Sequence, residues 1–247
     1  MASKQKTDQT VRMATPEMLK QIWAIVMQAL PTRLTFTQAK YWIEHGTELA
    51  RKIRAIFTVV DPYREHIATW ERFYRDALGL SVDLSALRIP DKKEGFDWLI
   101  VVVPGVTIER VLSVCAKYFK VWRWTNDNLD QLTESVRSAP TDPYAVWVRP
   151  RIEADEEHKN KSYNDLQKDG ISGITLLEYL LLHLQHFIAT GQHLDEKSIT
   201  LCSSSLYRYG SVAYAGWGPG SGELYVNWYS RDGAYVGLRV REVVPVP

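Results

Sequence analysis

Cysteine is nearly absent from this 247-residue chain: Cys115 and Cys202 are the only two. A disulfide framework is thereby excluded, and each residue sits in an apolar run where a reduced thiol acts as a small hydrophobe. No uninterrupted apolar stretch approaches the ~18 residues of a membrane span. Charge of one sign is missing too, with 30 Lys and Arg against 29 Asp and Glu. The chain as a whole therefore exerts no electrostatic pull on nucleic acid or an anionic membrane. Met1 to Gln9 are polar and lack the apolar segment of a secretory leader. Together these absences point to the cytoplasm and to no membrane partner.

The common catalytic signatures are missing as well. There is no GxxxxGK[ST] phosphate loop, no HExxH zinc helix and no G-x-S-x-G elbow ahead of Ser203-Ser204-Ser205. No cofactor is implied. What the chain does have is aromatic surface, nine Trp and 13 Tyr, more than a core of this size needs. Large amphipathic rings are favoured where surfaces meet partners.

Helical grammar dominates the first third. Thr15-Pro16-Glu17 reads as an N-cap, a first-turn proline and an acid at the positive helix end. Leu19, Ile22, Trp23, Val26 and Leu30 follow at helical spacing. Thr35 and Gln38 have the spacing of a capping box. Gly46 separates a second helix from a third, and Asp61-Pro62 opens a fourth that ends at Gly79. From residue 80 the period changes. Val82 to Ile89 reads as an extended edge segment, Phe96 to Val103 as a strand buried on both faces, Thr107 to Phe119 as a helix and Val121 to Trp124 as a strand. Strand, helix and strand in that span have the size of a βαβ unit. Tyr144 to Ile152 reads as a strand placed at an edge or bulge by Pro150. Ile174 to Ala189 is the most hydrophobic helix, and four short strands with hairpin punctuation follow it.

Four places can carry chemistry. Glu153, Asp155 and Glu156 cluster after a strand, with Arg149 and Arg151 beside them, as a metal-dependent phosphodiester hydrolase requires. A solvated helix start explains the same charges. His183 and His186 lie three apart on a helix, as a metal pair can, although no third ligand is near in sequence and the bland reading assigns no metal. Arg51, Lys52 and Arg54, with Trp42 on the preceding helix, suggest nucleic-acid contacts from a helical pair; a kinked helix in a bundle is the plainer alternative. Trp217 beside the glycine-rich tract at 216–222, with Tyr214 and Tyr225, suggests a contact loop for a partner.

Several segments resemble a family of uncharacterised proteins from uncultured, small-genome bacteria. They are DPYAVWVRPRIEADEEHKN (142–160), GISGITLLE (170–178), TGQHLD (190–195) and ITLCSSS (199–205), with DPY (61–63), LRIP (87–90) and WRWT (122–125) in support. The family has no assigned activity. The resemblance implies a bacterial cytoplasmic protein that forms one coherent unit from about residue 60.

The expected fold is α+β: a helical N-terminal region over 1–79, then an α+β domain over 80–247 with a mixed β-sheet, two packed helices and a C-terminal antiparallel meander. The expected function is a non-enzymatic binding or accessory module that engages a macromolecule, protein or nucleic acid, through exposed aromatics. The alternatives are the hydrolase and nucleic-acid binding by the N-terminal helices.

Overall fold

The Thr15 side chain accepts a hydrogen bond from the Met18 amide at 3.3 Å and opens α1 (Pro16–Ala29). The computed structural model describes residues 15–57, 62–85 and 87–246, without the side chains of 54–57. The polar segment Met1 to Gln9 and the cap expected at Asp61 lie outside the described residues. Thr35 and Gln38 form both halves of a capping box at the start of α2 (Phe36–Glu44), and His45 separates it from α3 (Gly46–Phe57). No residue of α1 or α2 is buried: the apolar stripe of α1, including Leu19, Ile22 and Trp23, is exposed.

Two compact units divide the chain, residues 1–65 and 66–247. The second begins inside α4 (Arg64–Leu78), whose stripe Trp70, Phe73, Tyr74 and Leu78 is buried. After it come β1 (Trp98–Val102), α5 (Ile108–Tyr118), β2 (Lys120–Arg123), α6 (Leu129–Leu132), β3 (Thr133–Ser135) and β4 (Tyr144–Val148). A single 3-10 turn at Glu156–His158, α7 (Tyr163–Lys168) and α8 (Leu176–Thr190) follow. The chain closes with β5 (Ile199–Tyr207), β6 (Val212–Gly218), β7 (Glu223–Tyr229), β8 (Leu238–Arg239) and β9 (Val243–Pro245).

The strands form two sheets, one antiparallel in the order β1-β4-β9, the other mixed in the order β2-β7-β6-β5-β3 with β8 beside β5. The fold is α+β, and β5-β6-β7 is the antiparallel meander. Particular expectations change. No strand forms over the described residues between Gly79 and Asp97; Leu84 is buried there, its amide donating to Glu71. β1 and β2 fall in different sheets, so they are not a βαβ unit. β4 stops at Val148, short of Pro150, and is the middle strand of its sheet.

β1 is an edge strand, yet its outer carbonyls are not orphaned. The Trp70 indole N–H donates to the Leu99 carbonyl at 2.8 Å and the Tyr74 hydroxyl to that of Val101 at 2.6 Å. Those two bonds satisfy backbone acceptors that a buried sheet edge would otherwise leave unpaired. They also hold the body of α4, from His66 on, within the second unit.

α8 is apolar nearly all round because it packs on α5, on β1 of one sheet and on β5 and β6 of the other. Its one buried acid is fully satisfied. Glu178 accepts from the Thr175 amide as the second half of a capping box, from two Arg137 nitrogens at 2.8 Å and from the Tyr144 hydroxyl at 3.0 Å. Gly191, at φ 73°, ends the helix in the left-handed conformation. No helix among the described residues is long and apolar enough to cross a membrane.

Candidate functional site

The loop after β4 carries the acids that the sequence groups together, and the fold separates them. Glu153 accepts from the Ser198 hydroxyl at 2.7 Å and from the Lys197 amide. Glu156 is exposed and pairs with Lys159 and Arg239. Asp155 alone is buried. The three carboxylates do not converge. An acid from another element does join Asp155: the Glu242 amide donates to Asp155 Oδ2 at 2.9 Å, and the Glu242 carboxylate lies 3.2 Å from His158 Nε2. One ligand atom each from Asp155, His158 and Glu242 fall within 4.8 Å of one another.

The charges around this trio are already matched. Arg149 donates to Asp155 at 2.6 Å and to Glu242 at 2.8 Å, Lys93 reaches Glu242 at 3.1 Å, and Arg151 grips Glu157 through two nitrogens. The Arg151 hydrogen bonds hold the Glu157 carboxyl down at about 2. Burial alone would raise Glu242, but hydrogen bonds from Arg149, Lys93 and His158 outweigh it and keep its carboxyl below the usual range. Three cations thus meet three carboxylates, and the Arg149 guanidinium bridges Asp155 and Glu242, two of the three groups that could otherwise ligate a divalent ion.

His183 and His186 point to different partners. His183 is fully buried, its Nε2 3.1 Å from His193 Nδ1 and its Nδ1 3.5 Å from the Tyr179 hydroxyl. His186 instead lies with its ring centroid 5.2 Å from that of Trp98. The pair holds no common centre. Burial pushes His183 well below its ordinary pKa and His193 down to about 4.

Trp217 belongs to β6 and is half-buried, not carried on the hairpin tip. It pairs across from Leu224, whereas Tyr214 and Tyr225 alternate onto the opposite face. Tyr225 covers Gly216, where an added Cβ would lie 2.6 Å from its hydroxyl. The three residues therefore do not share one contact surface. In the N-terminal unit, Lys52 pairs with Glu48 at 3.1 Å and lies 5.1 Å above the Trp42 ring. Arg51 is exposed, and the Arg54 side chain lies outside the described residues.

An exposed ring cluster forms elsewhere, at the end of the mixed sheet. The Trp124 amide donates to the Val226 carbonyl at 3.2 Å and prolongs the β2–β7 pairing. Tyr207 ends β5, and Trp228 sits opposite Ala213 on β7. Tyr207 stacks on Trp228 at 4.7 Å, Trp124 meets Tyr207 edge-on at 5.7 Å, and Tyr209 meets it at 5.0 Å. The Arg208 guanidinium lies 5.3 Å from the Tyr209 ring. Trp124 is 53% exposed and Tyr209 73%. Reading the chain by segments missed this cluster, although alternation in Trp122-Arg123-Trp124 and the turn Tyr207-Arg208-Tyr209-Gly210 were its visible signs. No family model, curated protein or solved structure matches the chain.

Proposed function

We propose that this protein is a cytoplasmic, non-enzymatic binding module, and that the cluster Trp124, Tyr207, Tyr209 and Trp228 engages single-stranded nucleic acid. The observation that carries the reading is a contiguous set of rings, two of them more than half exposed, on a sheet end far apart in sequence. Rings already stacked on one another lose little rotamer freedom when a base is added, which favours binding. Arg208 and Arg231, both exposed, flank the same turn; Arg231 donates to the Gly210 carbonyl at 2.6 Å. They supply charge for phosphate without changing the near-neutral balance of the chain. Two such contacts correspond to a log–log salt slope of about −1.4, at roughly −0.7 per phosphate on a single strand.

The test is fluorescence anisotropy of a labelled oligothymidylate with the full chain. The expected result is salt-dependent binding that weakens at least tenfold in both Trp124→Ala and Tyr209→Ala, with melting temperature preserved. Absence of binding, or binding indifferent to both substitutions, overturns the reading. Binding that instead responds to Arg51→Ala and Lys52→Ala moves the site to the N-terminal helices.

A further inference from the structure

A second site, sharing no residue with that ring cluster, lies where α4, α8 and the start of β1 meet. A cavity of about 260 Å³ opens there, lined by His66, Thr69, Trp70, Trp98, Gln185 and His186, with Thr190 and smaller apolar neighbours completing the wall. No Lys, Arg, Asp or Glu contributes to its wall. Trp70 is fixed by its bond to the Leu99 carbonyl, and His66 stands edge-on to Trp147 at 5.2 Å. Trp98 is inclined by 40° to His186, so an indole and an imidazole form adjoining flat walls. His186 is only 8% exposed, and its Nε2 is buried without a hydrogen-bond partner. Burial lowers the pKa of this ring, which leaves it neutral at pH 7, with one nitrogen to donate and one to accept.

We propose that this cavity binds a neutral, flat nitrogen heteroaromatic of one or two rings, the size of a free nucleobase, seated against Trp98 and hydrogen-bonded by His186 and Gln185. Charge is excluded because an ion would surrender its hydration here with no counter-charge to replace it. The volume is below the roughly 300–1,000 Å³ of drug-sized sites, which restricts the occupant to a fragment. Two indoles in the wall favour a planar one, and the mixture of imidazole, amide and hydroxyl groups suits a ring that both donates and accepts.

Calorimetric titration of the full chain with adenine tests this, with benzoate as a flat anionic control. The expected result is one saturable site per chain for adenine and none for benzoate. Ala189→Phe and Thr69→Phe, at exposed positions on opposite walls, should each weaken adenine binding at least tenfold while preserving the melting temperature. His186→Phe should do the same, and Trp124→Ala should leave adenine binding unchanged. Absence of saturable binding, benzoate bound as tightly as adenine, or binding that survives both blocking substitutions overturns the proposal. Loss of adenine binding in Trp124→Ala also overturns it, because the ring would then be stacking on the surface cluster.

Discussion

The His193 imidazole lies flat on the Trp217 indole, with ring centroids 3.3 Å apart and planes within 5°. Phe187 stacks on the same imidazole at 4.6 Å, and His183 meets its Nδ1. The segment just after α8 is thereby locked to a strand of the mixed sheet. Both histidines are dried by this packing, which explains why protonation is disfavoured in the folded state.

Stability should fall on mild acidification. The folded pKa values of His183 and His193 lie below the unfolded value of about 6.5, so the unfolded chain takes up protons first. Their contribution is complete above about 6.5 and is lost as pH falls toward the folded value, about 4 for His193. The depressed carboxyls of Glu157 and Glu242 lose their contribution only below the unfolded carboxylate range, about 4.3. Melting temperature should therefore decline between pH 6.5 and 4.5, and less steeply in His193→Phe. A flat profile across that interval contradicts the assignment.

Breaking the buried pair Arg241–Asp195 should be severe. Arg241 is 1% exposed and donates to Asp195 at 2.8 Å and to the carbonyls of Arg151 and Ile152. Arg241→Met leaves a buried carboxylate without its cation, at a cost of about 3–5 kcal/mol in urea unfolding. Adding Asp195→Asn removes that uncompensated charge, so the double variant should be more stable than Arg241→Met alone. Equal or greater loss in the double variant would show that the pair itself is not the issue.

Arg149 should be what keeps a divalent ion out of the Asp155 site. Millimolar Mn²⁺ is expected to leave the melting temperature of the native chain unchanged. In Arg149→Ala, Asp155, His158 and Glu242 keep their proximity but lose the bridging guanidinium. Mn²⁺ should then raise the melting temperature by several degrees, through mass action on the folded state. No shift in the variant would mean that the trio cannot act as a ligand set.

Two glycines next to helices should respond oppositely to alanine. Gly191 has open space around it but φ 73°, so Gly191→Ala should lose about 1–2 kcal/mol from backbone strain alone. Gly46 opens α3 with nothing within 4 Å and no positive φ, so Gly46→Ala should be neutral or stabilising by up to ~1 kcal/mol. Chemical denaturation of the two variants separates strain from packing.

The longer helices were legible to within a residue or two, whereas the short α6 and α7 were not. Thr15 and Thr35 cap where local spacing placed them, because a cap and its amide lie only three residues apart; Thr107 and Thr175 cap helices whose starts were placed within a residue or so. The meander was legible from alternation and turn residues. The sheet partners were not: the apolar run of β1 carries no sign of β4 in preference to β2, and α4 carries none of the two carbonyls that Trp70 and Tyr74 reach. Among the site residues, Asp155 was visible while Glu242, His193 and Tyr207 were not. Glu153, Asp155 and Glu156 are close in the chain, but the bend at 152–153 and the 3-10 turn that begins at Glu156 send them to separate partners.

Composition, helix caps and hydrophobic period are local or additive properties, and by themselves they settled the class of fold, the positions of the longer helices and, among the described residues, the lack of a membrane-crossing helix. Which charges cancel, which rings stack and which are left facing water depends on pairings between residues dozens of positions apart. Those pairings follow from strand register and from two sheets closing on α8, so only the tertiary structure could decide that the acids are neutralised and that Trp124 and Tyr209 stand open.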